Sequence, residues 1–170
     1  ESVIYAIHVR GFTRHTSSGV KKKGTFAGVQ EKIPYLKELG ITAVALMPAW
    51  EFDEFERIQG QSQKEDREKI NYWGFKQGYY YAPKSAYAYG KDGSSEVKDM
   101  VRALHKAGIE VLMQLYFPED YPVGEIPDIL HFWVEEYHVD GFHLIGKRLP
   151  PALLFPDPFL QDTKLIFEYF

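Results

Sequence analysis

Cysteine is absent from the sequence, which excludes disulfide frameworks and thiolate metal sites. Long apolar runs are missing too. None approaches the roughly 20 residues of a membrane-spanning helix, and no charged stretch followed by an apolar one reads as a secretory leader. There is no block of like charge, and the formal net charge is −4. The one basic run, Lys21-Lys22-Lys23, sits beside Ser17, Ser18 and Gly19. That is the composition of a solvated loop and not the basic stripe that nucleic acid demands. Neither nucleic acid nor a membrane is therefore expected as a partner, and nothing assigns a cellular location. Glycine-rich phosphate loops are lacking as well. The turn after the first apolar run is Arg10-Gly11-Phe12-Thr13, with no G-x-G-x-x-G, so no nucleotide cofactor is expected.

What is present is patterned apolar sequence, 45% hydrophobic over 170 residues, enough for one folded domain spanning residues 1–170. Val3 to Val9 is β-branched and aromatic and predicts a strand, followed by a polar loop through Gly24. Phe26, Val29, Ile33, Leu36 and Leu39 recur at helical spacing, with Gly40 placed to end the helix. Ile41 to Met47 is a short continuous apolar run closed by Pro48, the mark of a strand buried on both faces. The charged, aperiodic stretch from Glu51 to Glu68 reads as surface loop and leads into an aromatic cluster from Tyr72 to Tyr81. Ser94 or Ser95 is placed to cap a helix carrying Val97, Met100, Val101 and Leu104 and ending near Gly108. Strands are expected at Ile109 to Phe117, Val139 to Ile145 and Lys164 to Tyr169. A helix from Ile126 to Tyr137 falls between the first two, and an irregular proline-bearing connection precedes the last.

Short buried strands alternating with amphipathic helices predict a parallel sheet in an α/β fold. A doubly wound open sheet and a closed eight-stranded barrel both fit this alternation. The missing glycine fingerprint disfavours the first. A full barrel needs about 250 residues, so the chain supplies part of one. Strand-like runs at both extremes predict a piece of a longer protein.

The residues themselves then become specific. Val3 to Thr13 resembles the first barrel strand of pullulanase- and isoamylase-like members of glycoside hydrolase family 13, the α-amylase family. Gly24 to Gly28, Ile33 to Val44, Met47-Pro48 and Glu51 to Glu54 continue the likeness. Asn71-Tyr72-Trp73-Gly74-Phe75, with Tyr81-Ala82-Pro83 and Tyr87, is its most diagnostic stretch. Ala103 to Val111, Phe132 to Phe142 and Asp162 to Glu168 extend it to a fifth strand. The resemblance implies a partial (β/α)8 TIM barrel, about five parallel strands with helices outside.

It also implies a chemistry and an obstacle to that chemistry. Retaining glycosidases of this kind use two carboxyl groups about 5–5.5 Å apart, one nucleophile and one acid. The acid position falls on Glu168. The nucleophile position falls on Ile145, and the arginine that precedes the nucleophile falls on His143. Isoleucine has no lone pair with which to attack an anomeric carbon, and histidine lacks the guanidinium fork. On strand three the family's aspartate, asparagine and histidine fall on Gln114, Pro118 and Glu119. The strand-seven acid has no counterpart in these residues. Phe75 takes the place of the tyrosine on which the family stacks the reacting glucose, with Tyr72 and Trp73 beside it as further sugar-binding candidates. Asp140, on the opposite side of the strand from position 145, reads as an ion-pair or turn partner. His8 and His105 lie in separate elements without metal-ligand spacing and read as structural, so no metal or other cofactor is expected.

Two functions follow from the resemblance. One is an α-glucan hydrolase or transglycosylase catalytic region, silenced in this chain at Ile145. The other is a non-catalytic glucan-binding or assembly module. The expected partner is a weakly bound α-glucan or maltooligosaccharide. An unrelated parallel α/β binding protein is a third reading that no motif supports. Five strands also leave open edges and an unfilled inner face, expected to include Ile7, Leu46, Leu115 and Leu144. This predicts a homodimer through those edges, unless residues 149–160 fold over the open side.

Overall fold

A computed structural model of the chain describes residues 2–58, 67–90 and 92–170. Strand β1 (Ile4–Ile7) turns directly into helix α1 (Val9–Arg14), where the sequence reads as loop. His8 starts that helix: its Nδ1 accepts the Gly11 N–H at 3.0 Å, so an imidazole fills the place usually held by Ser, Asp or Asn.

The expected single helix after Gly24 is two, α2 (Phe26–Glu31) and α3 (Ile33–Glu38). Thr25 caps α2 by accepting the Gly28 N–H at 3.1 Å. The break at Lys32 has a cause in Pro34, which has no N–H to donate and crowds the carbonyl four residues back. Phe26, Val29 and Leu36 nevertheless stay on one buried face.

Strand β2 (Ala43–Leu46) is buried along its whole length. Four short strands follow: β3 (Trp50–Glu51), β4 (Phe55–Ile58), β5 (Arg67–Ile70) and β6 (Tyr79–Pro83). β3 pairs with β6 and β4 with β5, both antiparallel. The stretch read as loop from Glu51 to Glu68 is thus partly paired strand, and residues 59–66 of it lie outside the described residues.

Helix α4 (Gly93–Lys106) is capped by Asp92, whose carboxylate accepts the Ser95 N–H at 3.2 Å, and not by either serine. Asp92 ranks at least with serine as a cap and stands immediately before the helix, whereas both serines lie inside its first turn. Gly108 follows the helix at φ 76°, a conformation glycine adopts without cost. Strand β7 (Glu110–Tyr116), helix α5 (Ile126–Tyr137), strand β8 (Gly141–Ile145), one-turn helix α6 (Pro151–Leu154) and strand β9 (Lys164–Glu168) complete the order.

β1, β2, β7, β8 and β9 form one parallel sheet in that order, each strand beside its predecessor. With crossover helices between them, this is the expected partial (β/α)8 barrel. Strand alternation divides the sheet into two faces. One carries Ile7, Val44, Leu46, Val111, Met113, Leu115, Phe142 and Leu144 into the main core beneath Phe26, Met100, Leu104, Ile129 and Trp133. The other carries a small buried cluster, Ala43, Ala45 and Leu112, in phase with Gln114, His143, Ile145 and Glu168.

The inner-face expectation is therefore corrected. Ile7, Leu46, Leu115 and Leu144 belong to the helix side, because they share the phase of Val44 and Phe142. The proline-bearing segment is also corrected as a plug for the open side. Leu149, Leu154 and Leu160 join the helix-side core, and the Phe155 ring packs 5.5 Å from Phe167. His131 Nε2 and Asp157 Oδ2, 2.6 Å apart, hold the segment to α5.

Candidate active site

In barrels of this kind the strands deliver their functional side chains at the C-terminal ends. Here those ends converge on a cavity of about 460 Å³ lined by Met47, Phe75, Gln114, Tyr116, Ile145, Glu168 and Phe170. Met47 follows β2, Tyr116 closes β7, Ile145 closes β8 and Glu168 closes β9. Tyr116, Ile145 and Glu168 stand in one row of the sheet, each the register partner of the next. Gln114 and His143 form the row below.

The polar chemistry is concentrated in three side chains. His143 Nε2 lies 2.8 Å from Glu168 Oε2, and Gln114 Nε2 lies 3.2 Å from His143 Nδ1. Gln114 Oε1 is buried with no hydrogen-bond partner. Of the residues lining the cavity, Glu168 is the one carboxylate.

The aromatic candidates separate. Phe75 enters the cavity, edge-on to Tyr116 with ring centres 6.3 Å apart. Tyr72 does not. Its ring stacks on His8 at 4.2 Å and 6°, and its carbonyl meets His8 Nε2 at 2.8 Å. Trp73 packs edge-on against Tyr72 and His8 and is 52% exposed, beside the cavity and not lining it. Phe170, stacked 6.1 Å from Tyr116, and Tyr116 itself line the cavity without having been singled out as sugar-binding candidates. A strand-end aromatic shows its role only once the sheet register is known.

The loop after β2 is braced by charge. Lys84, only 4% exposed, reaches Glu51 at 2.8 Å and the Phe52 carbonyl at 2.9 Å, while Arg10 binds Glu54 at 2.6 Å. Burial works to raise the Glu51 carboxyl, but Lys84 and Ser85 outweigh it and hold it below the usual range. Asp140 keeps the structural role expected of it, with Oδ2 2.7 Å from His105 Nε2 and accepting the Val111 N–H at 2.7 Å.

A larger groove, about 590 Å³, lies in the helix layer between α4 and α5. Several of its charges are spent on one another or nearby, as Lys98–Glu136, Arg102–Asp99 and His105–Asp140. It is a seam between two helices, far less suited to chemistry than the strand ends.

Comparison with known proteins shows the family and the fold. The family described as "Alpha amylase, catalytic domain" matches residues 6–119. "Isoamylase 1, chloroplastic" of Oryza sativa subsp. japonica is 34% identical over 82% of the chain and 23% of its own length. The Group B Streptococcus pullulanase SAP superposes with a TM-score of 0.74 at 22% identity, over 98% of the chain and 28% of that protein. Type I pullulanase from Bacillus subtilis, solved with maltose, superposes at 0.67 and 22% identity over 85% of the chain and 27% of its own. The chain thus spans about a quarter of the length of these proteins.

Proposed function

The chain belongs to the α-amylase family, as a stretch of its catalytic domain, and on that premise we propose that its cleft binds maltooligosaccharide without cleaving it. One observation carries the reading. Ile145 stands beside Glu168 at the strand ends, so the cleft has one carboxylate where retaining chemistry needs two. Glu168 is in addition engaged by His143 at 2.8 Å.

Binding survives this loss because it draws on other groups. Phe75, Tyr116 and Phe170 offer ring faces to sugar C–H surfaces, and a pullulanase of the same barrel has been solved holding maltose. With few polar partners left, the affinity is expected to be millimolar, about −4 kcal/mol. Titrating maltoheptaose while following backbone amide shifts tests this. Saturable shifts confined to residues around Phe75 and Ile145 are expected. No shift at saturating sugar would remove the binding function.

A second reading, an assembly module, is favoured by exposed Ile4, Tyr5 and Ile166 on the outer strands of the sheet. The two readings are compatible, since the cleft and the sheet edges are different surfaces.

A further inference from the structure

Glu168 is the one charged side chain among the residues that line the cleft. His143 Nε2 faces a carboxylate oxygen at 2.8 Å. A bare nitrogen lone pair would be repelled there, so Nε2 carries the ring proton. On its other side, His143 Nδ1 lies 3.2 Å from the Gln114 amide nitrogen. That orientation leaves Gln114 Oε1, on a residue only 8% exposed, buried without a partner. With that oxygen enclosed, the carboxylate of Glu168 is the charged acceptor left open to a ligand. Glu168 commits Oε2 to His143 and has Oε1 to spare, on a side chain 55% exposed.

The walls have the same preference. Phe75, Tyr116 and Phe170 present π systems, whose faces carry negative potential and attract cations. No lysine or arginine lines the cavity. The ammonium of Lys147, close enough to Tyr116 to feel its hydroxyl, is paired with Glu119 at 2.8 Å. A carboxylate with an oxygen to spare and three rings, with no lysine or arginine among the lining residues, make up a receptor for positive charge.

We infer that the cleft takes a saccharide carrying a protonated amine in preference to the neutral sugar, the ammonium seated by Glu168 and the rings of Phe75, Tyr116 and Phe170. The inference rests on the maltooligosaccharide reading for the sugar that carries the charge. The charge preference itself comes from the carboxylate and rings.

The test compares methyl α-glucoside with its 2-amino-2-deoxy and 6-amino-6-deoxy counterparts, titrated at neutral pH into the 170-residue chain and followed by amide shifts. At least one amine is expected to bind about tenfold more tightly than the parent glucoside. Glu168→Gln, which keeps an oxygen for His143, should reduce that preference to near parity. Phe170→Leu, a change at an exposed position, should weaken the amine several-fold more than the parent. Equal binding of all three sugars, or a preference unchanged in Glu168→Gln, overturns the inference. Maltoheptaose run alongside keeps the two proposals apart. Maltoheptaose binding without any amine preference overturns this inference and leaves the glucan reading standing. Amine preference without maltoheptaose binding does the reverse.

Discussion

Ile145 and Glu168 face each other across the β8–β9 register. Adjacent strands lie about 4.8 Å apart, so carboxyl groups at these two positions would fall near the 5–5.5 Å that a retaining mechanism uses. On the proposed reading the backbone keeps the family's spacing, and the chemistry is interrupted by the side chain at one end of it.

The roles of the aromatics can be separated by substitution. Phe75 enters the cavity and Trp73 stands beside it. Phe75→Ala is expected to weaken maltoheptaose by about fivefold or more, and Trp73→Ala by less than twofold. A larger effect at Trp73, measured by the same amide-shift titration, would move the sugar out of the cavity and onto the exposed loop.

Acid should loosen the aromatic loop through His8. Both ring nitrogens are occupied: Nδ1 accepts the Gly11 N–H, and Nε2 meets the Tyr72 carbonyl. Burial chiefly, helped by the charge of Arg10, holds the ring below its ordinary pKa of 6.5, while the Tyr72 carbonyl works the other way. The unfolded chain then takes up the proton first as pH falls. The stabilisation is complete above pH 6.5 and is lost as the pH falls toward the lowered folded value. Stability by urea unfolding should drop between pH 7.5 and 5 with a component that His8→Gln removes. An unchanged pH slope in that variant would contradict the assignment.

Gly141→Ala should be costly for a packing reason. A Cβ there would sit 2.6 Å from the Lys164 carbonyl oxygen, which is backbone of the neighbouring strand and can yield only by moving β9. The expected loss is about 1–3 kcal/mol, read from the urea midpoint, with displaced amide shifts at Glu168. A neutral substitution would mean that β8 and β9 are less tightly held than their register implies.

The edges of the sheet make a prediction of their own. β1 and β9 are its outer strands, each with backbone groups unpaired on one side and with Ile4 and Ile166 exposed. Exposed edges and apolar inner-face residues favour association. The 170-residue chain on its own is expected to form a two-fold dimer in gel filtration with light scattering. A sharp monomer across a tenfold dilution would mean that these edges are protected in another way.

Much of this architecture was legible in the residues. Helix Ile126–Tyr137 and the alternation of strands with helices follow from apolar periodicity, while the barrel order of the strands and the strand-end places of Glu168 and Ile145 follow from the family resemblance. Other features hid for physical reasons. Apolar spacing runs unbroken through Lys32, so the break that Pro34 imposes is invisible to periodicity. Helix α1 starts on a histidine cap and contains Gly11, both weak helix signals. The paired strands β4 and β5 are charged enough to read as loop. Gln114, already marked as a departure from the family, shows its unpaired oxygen only once His143 and Glu168 are in place, because that vacancy depends on tertiary contact.

The most direct test of the central claim is a reducing-end assay on homogeneous protein with maltoheptaose and with pullulan over a day. A cleft whose one carboxylate is Glu168 should release nothing above a buffer blank from either sugar. Turnover that Glu168→Gln abolishes would show a nucleophile other than position 145 and would contradict the account.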